Sequence, residues 1–322
     1  MKTKNYNNFI IISFICFFFL GCSSTQLVDI SEKDQLDNLL KDIGNVELKI
    51  KTNENVKKLI IKSLIALDSD IKINFIDLAD NETLLISNDF LDQEFNFFCK
   101  TANSYLEVAT KQHLLDSGKN DEIFIFYSER LNSQADLIKS NYPGVRIYKI
   151  DADYDGLIKK VFELSESYRR SNLIDKLVQE ENVNFVPRYR KDFRKIYVIA
   201  DYDQSKNFVP SLRFNYILDK EIYASSQSII RIEDRKKLLD FSEVILSVPN
   251  SFIYEDEFEN FDELSKLSFL HDLMLVYAIK KASGNSQLIS GKFANIRYSQ
   301  NTCSDMNMNL VKIDNLGRFN QL

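Results

Sequence analysis

Ile123-Phe124-Ile125-Phe126-Tyr127, a polar helical stretch closed by Asn141-Tyr142-Pro143-Gly144, and then Val145-Arg146-Ile147-Tyr148-Lys149-Ile150 form the passage on which the fold turns. The first run is apolar with no polar alternate, which suits a strand covered on both faces. The Tyr-Pro-Gly turn ends the intervening helix, and a second strand starts at once. Strand, helix and strand at this spacing imply parallel strands joined by a right-handed crossover.

The same rhythm extends in both directions. Downstream, Leu157, Ile158, Val161 and Phe162 face inward on a helix expected over 155–170, followed by a strand at 196–200, a helix at 206–218 and a strand at 221–224. Upstream, Val46, Leu48 and Ile50 alternate with Glu47 and Lys49 as in a strand, and Val56, Leu59, Ile60, Leu64 and Leu67 follow helical spacing. Short apolar runs at 71–78 and 83–86 read as buried strands. Phe95, Phe98, Cys99, Ala102, Leu106, Ala109 and His113 then form one face of a long helix, ended by Ser117-Gly118-Lys119-Asn120. Beyond residue 224 the rhythm changes. A strand at 244–248 stops at Pro249, residues 250–262 are acidic and aromatic, an apolar helix covers 264–279, and a β-rich tail holds strands at 295–298 and 310–313. The fold expected is α/β, with mostly parallel sheets covered by helices on both faces. No repeat of 20 to 50 residues interrupts it.

The amino terminus reads as a targeting segment. Lys2 and Lys4 precede an apolar stretch from Phe9 to Leu20, broken only by Ser13, which stops at Gly21-Cys22. That stretch is too short for a relaxed membrane-spanning helix, which needs roughly 20 residues, and it fits a signal-peptide core. A small residue directly before a cysteine marks a lipoprotein signal, although Phe19 and Leu20 are bulkier than usual there. Lipidation is therefore expected on Cys22, with a signal peptide at 1–21 and a tether at 22–45. Acyl chains contribute ~0.8 kcal/mol per buried CH₂ group, so such an anchor is effectively permanent. Ser23 stands where an inner-membrane retention signal carries Asp, which points to the outer membrane, facing the periplasm.

Composition excludes several functions. A net charge of −6 offers no basic stripe to displace counterions from nucleic acid. There are two histidines, and both His113 and His271 lie on helix stripes at core spacing, without the clustering a zinc site requires. The eight glycines never form a phosphate-binding loop, and no GxSxG elbow is present. Asp151, Asp153, Asp155, Asp201 and Asp203 sit at strand-to-helix junctions, where Asp usually caps the next helix. No catalytic residue, metal or cofactor is expected. Cys99 and Cys303 either form a disulfide, which an exported compartment permits, or remain two buried thiols.

Open parallel sheets bind ligands at the carboxyl ends of their strands. The candidate ligand-binding residues are therefore Ser87 and Asn88, Ser128, and Ser225 with Ser226. Each could equally cap the helix that follows.

The order of certain segments resembles the LpoA (LppC) family. Glu166-Ser167-Tyr168-Arg169-Arg170 is followed by Val186-Pro187-Arg188-Tyr189-Arg190-Lys191-Asp192 and the strand Lys195-Ile196-Tyr197-Val198-Ile199-Ala200. Val209-Pro210-Ser211-Leu212, Ile222-Tyr223-Ala224-Ser225-Ser226, Val248-Pro249-Asn250-Ser251-Phe252, His271-Asp272-Leu273 and Gly291 come in the same order. The similarity spans about residues 85–319. It implies a two-lobed type I periplasmic-binding-protein-like fold on an outer-membrane lipoprotein that binds and activates a class A penicillin-binding protein, the peptidoglycan synthase. The lobes are expected at 46–118 with 250–288 and at 119–249 with 289–322. The departures are definite. Residues 23–45 leave no room for the family's helical-repeat domain, the first lobe is compressed, Asn250 replaces a Trp, and no Thr-Gly follows Gly291. The competing expectation is a lipid-anchored solute-binding protein for an amino acid or similar small polar ligand.

Overall fold

The computed structural model describes residues 46–65, 72–116, 120–178, 185–254, 260–282 and 287–322. The signal segment, Cys22 and the tether lie outside the described residues. Among those described, no helix is long and apolar enough to cross a membrane.

The larger sheet has seven strands in the order β13-β12-β8-β7-β6-β4-β5, formed by β4 (Ile123–Tyr127), β5 (Arg146–Lys149), β6 (Lys195–Ile199), β7 (Glu221–Ala224), β8 (Val244–Val248), β12 (Asn309–Ile313) and β13 (Phe319–Gln321). The five strands from β4 to β8 are parallel, and β12 joins β8 antiparallel. Alternate residues of each strand feed two cores. Phe124, Phe126, Ile196, Val198, Ile222 and Leu246 face one side, while Ile123, Ile125, Tyr197, Ile199, Tyr223 and Ile245 face the other. The unbroken apolar runs thus have their physical reason, because neither face of the central strands β4, β6 and β8 meets water. The first face is covered by α4 (Tyr154–Val161), α5 (Leu164–Val178) and α6 (Tyr202–Phe214), and the second by α3 (Asn132–Asn141).

The first lobe holds two small sheets. β1 (Glu47–Lys51) lies between β2 (Lys72–Phe75) and β3 (Leu84–Leu85), all parallel. β10 (Asn295–Tyr298) lies between β9 (Gln287–Ser290) and β11 (Asp305–Asn307), both antiparallel to it. Their shared core includes Leu48, Ile50 and Ile60 of α1 (Glu54–Ile65), the Phe95, Phe97 and Phe98 cluster, and Phe269 to Ile279 of α8 (Phe261–Lys281). Two helices pass between lobes. α2 (Ala102–Asp116) gives Ala102, Tyr105 and Leu106 to the first core and Leu114 to the second lobe. α8 gives Phe261 and Leu264 to the second lobe and the apolar residues from Phe269 to Ile279 to the first.

Several expectations change. The helix expected from Phe95 begins only at Ala102. Residues 95–101 turn aside so that Cys99 N–H reaches the Ser304 carbonyl at 3.0 Å and Ser304 N–H reaches that of Phe97 at 2.7 Å. Thr101 then caps the helix by accepting from Ser104 N–H. The buried stripe at the end of α2 runs through Leu106, Thr110 and Leu114, and His113, expected in the core, lies exposed beside it. His271 is buried, with Nδ1 2.8 Å from Asp272 Oδ1. The helix expected over 155–170 is two helices. Glu163 adopts φ 59, and the Phe162 carbonyl exposed by the break accepts from Arg190 N–H. The helix expected at 206–218 starts four residues earlier because Asp201 caps it through Gln204 N–H. Residues 289–308, assigned above to the second lobe, place Ile289, Phe293, Ile296, Tyr298 and Met306 in the first core, and only 309–322 join the larger sheet. Sequence spacing reports a strand but not which of two sheets takes it.

Candidate functional site

Tyr197 sits in the middle of β6, where an apolar run buries the whole ring and leaves its hydroxyl in need of an acceptor. The acceptor comes from the connecting helix. Tyr197 OH donates to Glu107 Oε2 at 2.8 Å. Ser225 and Ser226, at the carboxyl end of β7, donate to Glu107 Oε1 at 2.5 and 3.1 Å. Burial, and then the neighbouring Glu107, hold the Tyr197 phenol well above its ordinary pKa. It therefore stays a donor across the physiological range. A charged side chain at 7 % exposure is costly unless several donors satisfy it, and here three hydroxyls do so.

The surroundings lock α2 against the sheet. Thr110 Oγ1 accepts from Ser247 N–H at 3.0 Å, and Ser247 Oγ donates to the Leu106 carbonyl. Lys195 reaches the end of the helix, where Nζ donates to the Leu114 carbonyl at 2.9 Å. The hydroxyls at the carboxyl end of β7 that could meet a ligand are consumed by Glu107. Ser225 is fully buried, so no substrate can reach its Oγ as a nucleophile.

The remaining candidates are scattered. Ser87 N–H donates to Gln93 Oε1, and Asn88 Oδ1 accepts from Asn53, the residue that caps α1. Both are exposed on the first lobe. Ser128 follows β4; its N–H donates to the Ile199 carbonyl, and its buried Oγ has no hydrogen-bond partner among the described residues. Of the five, only Ser225 and Ser226 come together. Glu107 and Tyr197 were not singled out from the sequence. The one available signal was a tyrosine inside an unbroken apolar strand, which demands a polar partner from elsewhere.

A second polar joint ties the crossing segments. Asp272 is fully buried on α8 and accepts from the backbone N–H groups of Lys292, Phe293 and Ala294 at 2.8, 2.9 and 3.1 Å. Gly291 is required beside it, since a Cβ there would lie 2.1 Å from Asp272 Oδ2. Asn250, at the start of α7 (Asn250–Tyr254), donates to the Gly291 carbonyl at 2.9 Å and accepts from Asn309 at 2.6 Å. Three separate chain segments meet at that amide. The Arg-rich loop is also structural. Arg188 N–H donates to Ser167 Oγ, and Arg190 pairs with Asp192, which Arg146 also contacts. Asp153 and Asp201 cap α4 and α6.

No family model and no curated protein sequence matches the chain. Among solved structures, it is similar to the C-domain of LpoA (YraM) from Haemophilus influenzae, described as a regulator of PBP1A. The identity is 12%, over 89% of this chain and 85% of that one, with a TM-score of 0.46. Full-length LpoA from the same organism gives 11% identity, 86% of this chain and a TM-score of 0.44, and this chain spans 48% of its length. An extracellular ligand-binding receptor from Verminephrobacter eiseniae ef01-2 gives 8% identity, 85% of this chain, 100% of that one and a TM-score of 0.42.

Proposed function

We propose that the chain is a non-catalytic interaction protein, exported and anchored through Cys22 in the outer membrane facing the periplasm, which binds and activates a class A penicillin-binding protein. The observation that carries the interaction reading is the buried joint in which Glu107 takes up the hydroxyls of Tyr197, Ser225 and Ser226. A joint that satisfies itself leaves a small polar ligand little to bond, and favours recognition by the outer surface. The choice of partner rests on the ordered segments that resemble the LpoA family. Two pairs among these, Ser167 with Arg188 and Asp272 with Gly291, are local fastenings within a lobe. Joints of this kind speak for a shared frame, and partner choice belongs to surface residues. The test is to add the purified mature chain to a class A synthase and measure glycan-polymerase and transpeptidase rates. A rise in either rate supports the activator role; unchanged rates without co-purification of the synthase refute it.

One observation favours the second reading, a lipid-anchored protein that binds an amino acid or similar small polar ligand. Ser128 Oγ is buried at the carboxyl end of β4 without a partner among the described residues. That reading predicts a melting-temperature rise that grows with ligand concentration as RT ln(1 + [L]/Kd). A metabolite screen with no such shift removes it.

A further inference from the structure

Cys99 and Cys303 are disulfide-bonded across 204 residues, and both lie on the surface while Phe97, Phe98 and Ser304 beside them are buried. The bond holds the turn before α2 against the strand pair β10-β11. Phe98 bridges Ser304 in parallel, and Tyr105 OH donates to the Ser304 carbonyl at 3.2 Å. Yet the local sequence asks for something else. Phe95, Phe98, Ala102, Leu106 and Ala109 recur at helical steps, so residues 95–101 have the pattern of two further turns of α2. The tertiary contacts at Ser304 override that pattern. A segment with one preference set locally and another imposed by the contacts at Ser304 and the crosslink that fastens them is an element with two arrangements.

We infer that Cys99–Cys303 is a surface site of thiol–disulfide exchange for a dithiol oxidoreductase, and that opening it allows residues 95–101 to join α2. A thiolate of the dithiol attacks one exposed sulfur, forms a mixed disulfide and releases the other cysteine as a thiolate. The second thiol of the reagent then attacks the mixed disulfide. The protein gains two electrons and two protons as two thiols, and the dithiol leaves as its own disulfide. The consequence reaches the joint between lobes, because α2 carries Glu107 and Thr110, which bond to Ser225, Ser226 and Ser247. This site is independent of the partner proposed above.

The test uses the whole mature chain in native buffer with dithiothreitol, followed by iodoacetamide trapping, mass spectrometry and backbone NMR. The inference expects both cysteines to be alkylated without denaturant, Cα shifts of residues 95–101 to move to helical values, and those of β4 and β6 to stay in place. Two results overturn it. The disulfide could resist dithiol until denaturant also unfolds β4 and β6, or the reduced chain could keep the shifts of the oxidised one over 95–101. The Cys99→Ser/Cys303→Ser double variant should show the helical shifts without reductant. If that variant does not fold, the reduced and alkylated wild-type chain decides the matter. Failure of these outcomes leaves the synthase assay untouched, so the two ideas fall separately.

Discussion

In the second lobe five neighbouring strands run parallel, and every residue of β6 and β8 is buried. In the first lobe β2 is half-exposed, β3 is two residues long, and the third layer comes from β9, β10 and β11, more than 180 residues further along the chain. The second lobe is held by area, since each fully buried large apolar side chain contributes about 1.5–3 kcal/mol. The first also buries an extensive apolar core, and adds point fasteners in Asp272 on its three amides, the Cys99–Cys303 bond and Asn250 among three segments. A core closed by distant segments needs such fasteners because chain entropy opposes each long-range closure. The lobe with fewer strands is therefore the one that a single polar substitution should loosen.

Phe124 is fully buried between Phe162 and Phe193, with ring centroids at 5.8 and 4.7 Å. Phe124→Ala should cost about 3–5 kcal/mol. Hydrogen exchange should show the loss in β4, β5 and β6 with little change in β1 or β10; a loss spread evenly over both lobes breaks the comparison. Asp272→Ala should do the reverse, costing about 3 kcal/mol by orphaning three N–H groups, two of them buried, and loosening residues 291–298 first. Urea unfolding followed at a first-lobe tyrosine and at a second-lobe one separates these outcomes.

Tyr197→Phe probes the boundary itself. It removes one of the three donors to Glu107 and should cost about 1–2 kcal/mol, with the largest change in exchange rate along α2. Equal change in α3, which takes no part in that network, would refute the latch. The smallest effect belongs to Asp192, on the surface of the second lobe. Hydrogen bonds from Arg190, then from Arg146, hold its carboxyl well below the ordinary range. A depressed folded value supplies stability above the ordinary carboxylate pKa of about 4, and that stability is lost as pH falls through the folded value. The pair is solvent-screened, so Asp192→Asn should cost below about 1 kcal/mol at neutral pH and flatten the acid limb of the stability curve below pH ~4. An unchanged acid limb assigns the acid sensitivity to other carboxylates.

The larger sheet was legible because burial on both faces leaves its mark in local sequence, as in Ile123 to Tyr127. The breaks were less so. Nothing around Glu163 announces a positive φ, since the residue that stabilises it, Arg190, stands 27 positions later and bonds to the Phe162 carbonyl. The sequence rule of carboxyl-end polar residues located Ser225 and Ser226 but could not foresee Glu107, which reaches them from a helix 118 residues earlier. Their hydroxyls were visible as groups that need a partner; the partner's identity was not.

What the sequence determined by itself is everything set by short-range chemistry. That covers the apolar runs that become β4 to β8, that β4 and β6 are covered twice, and that Asp at a strand-to-helix junction, as at Asp153 and Asp201, caps the next helix. Only the tertiary structure decided that residues 95–101 leave helical geometry, that residues 289–308 close the first lobe, and that Glu107 takes up the hydroxyl of Tyr197. The physical reason is one of range. Periodicity and capping are energies among residues a few positions apart, whereas Cys99 with Cys303, Asp272 with Gly291 and Glu107 with Ser225 become neighbours only once distant segments have packed together.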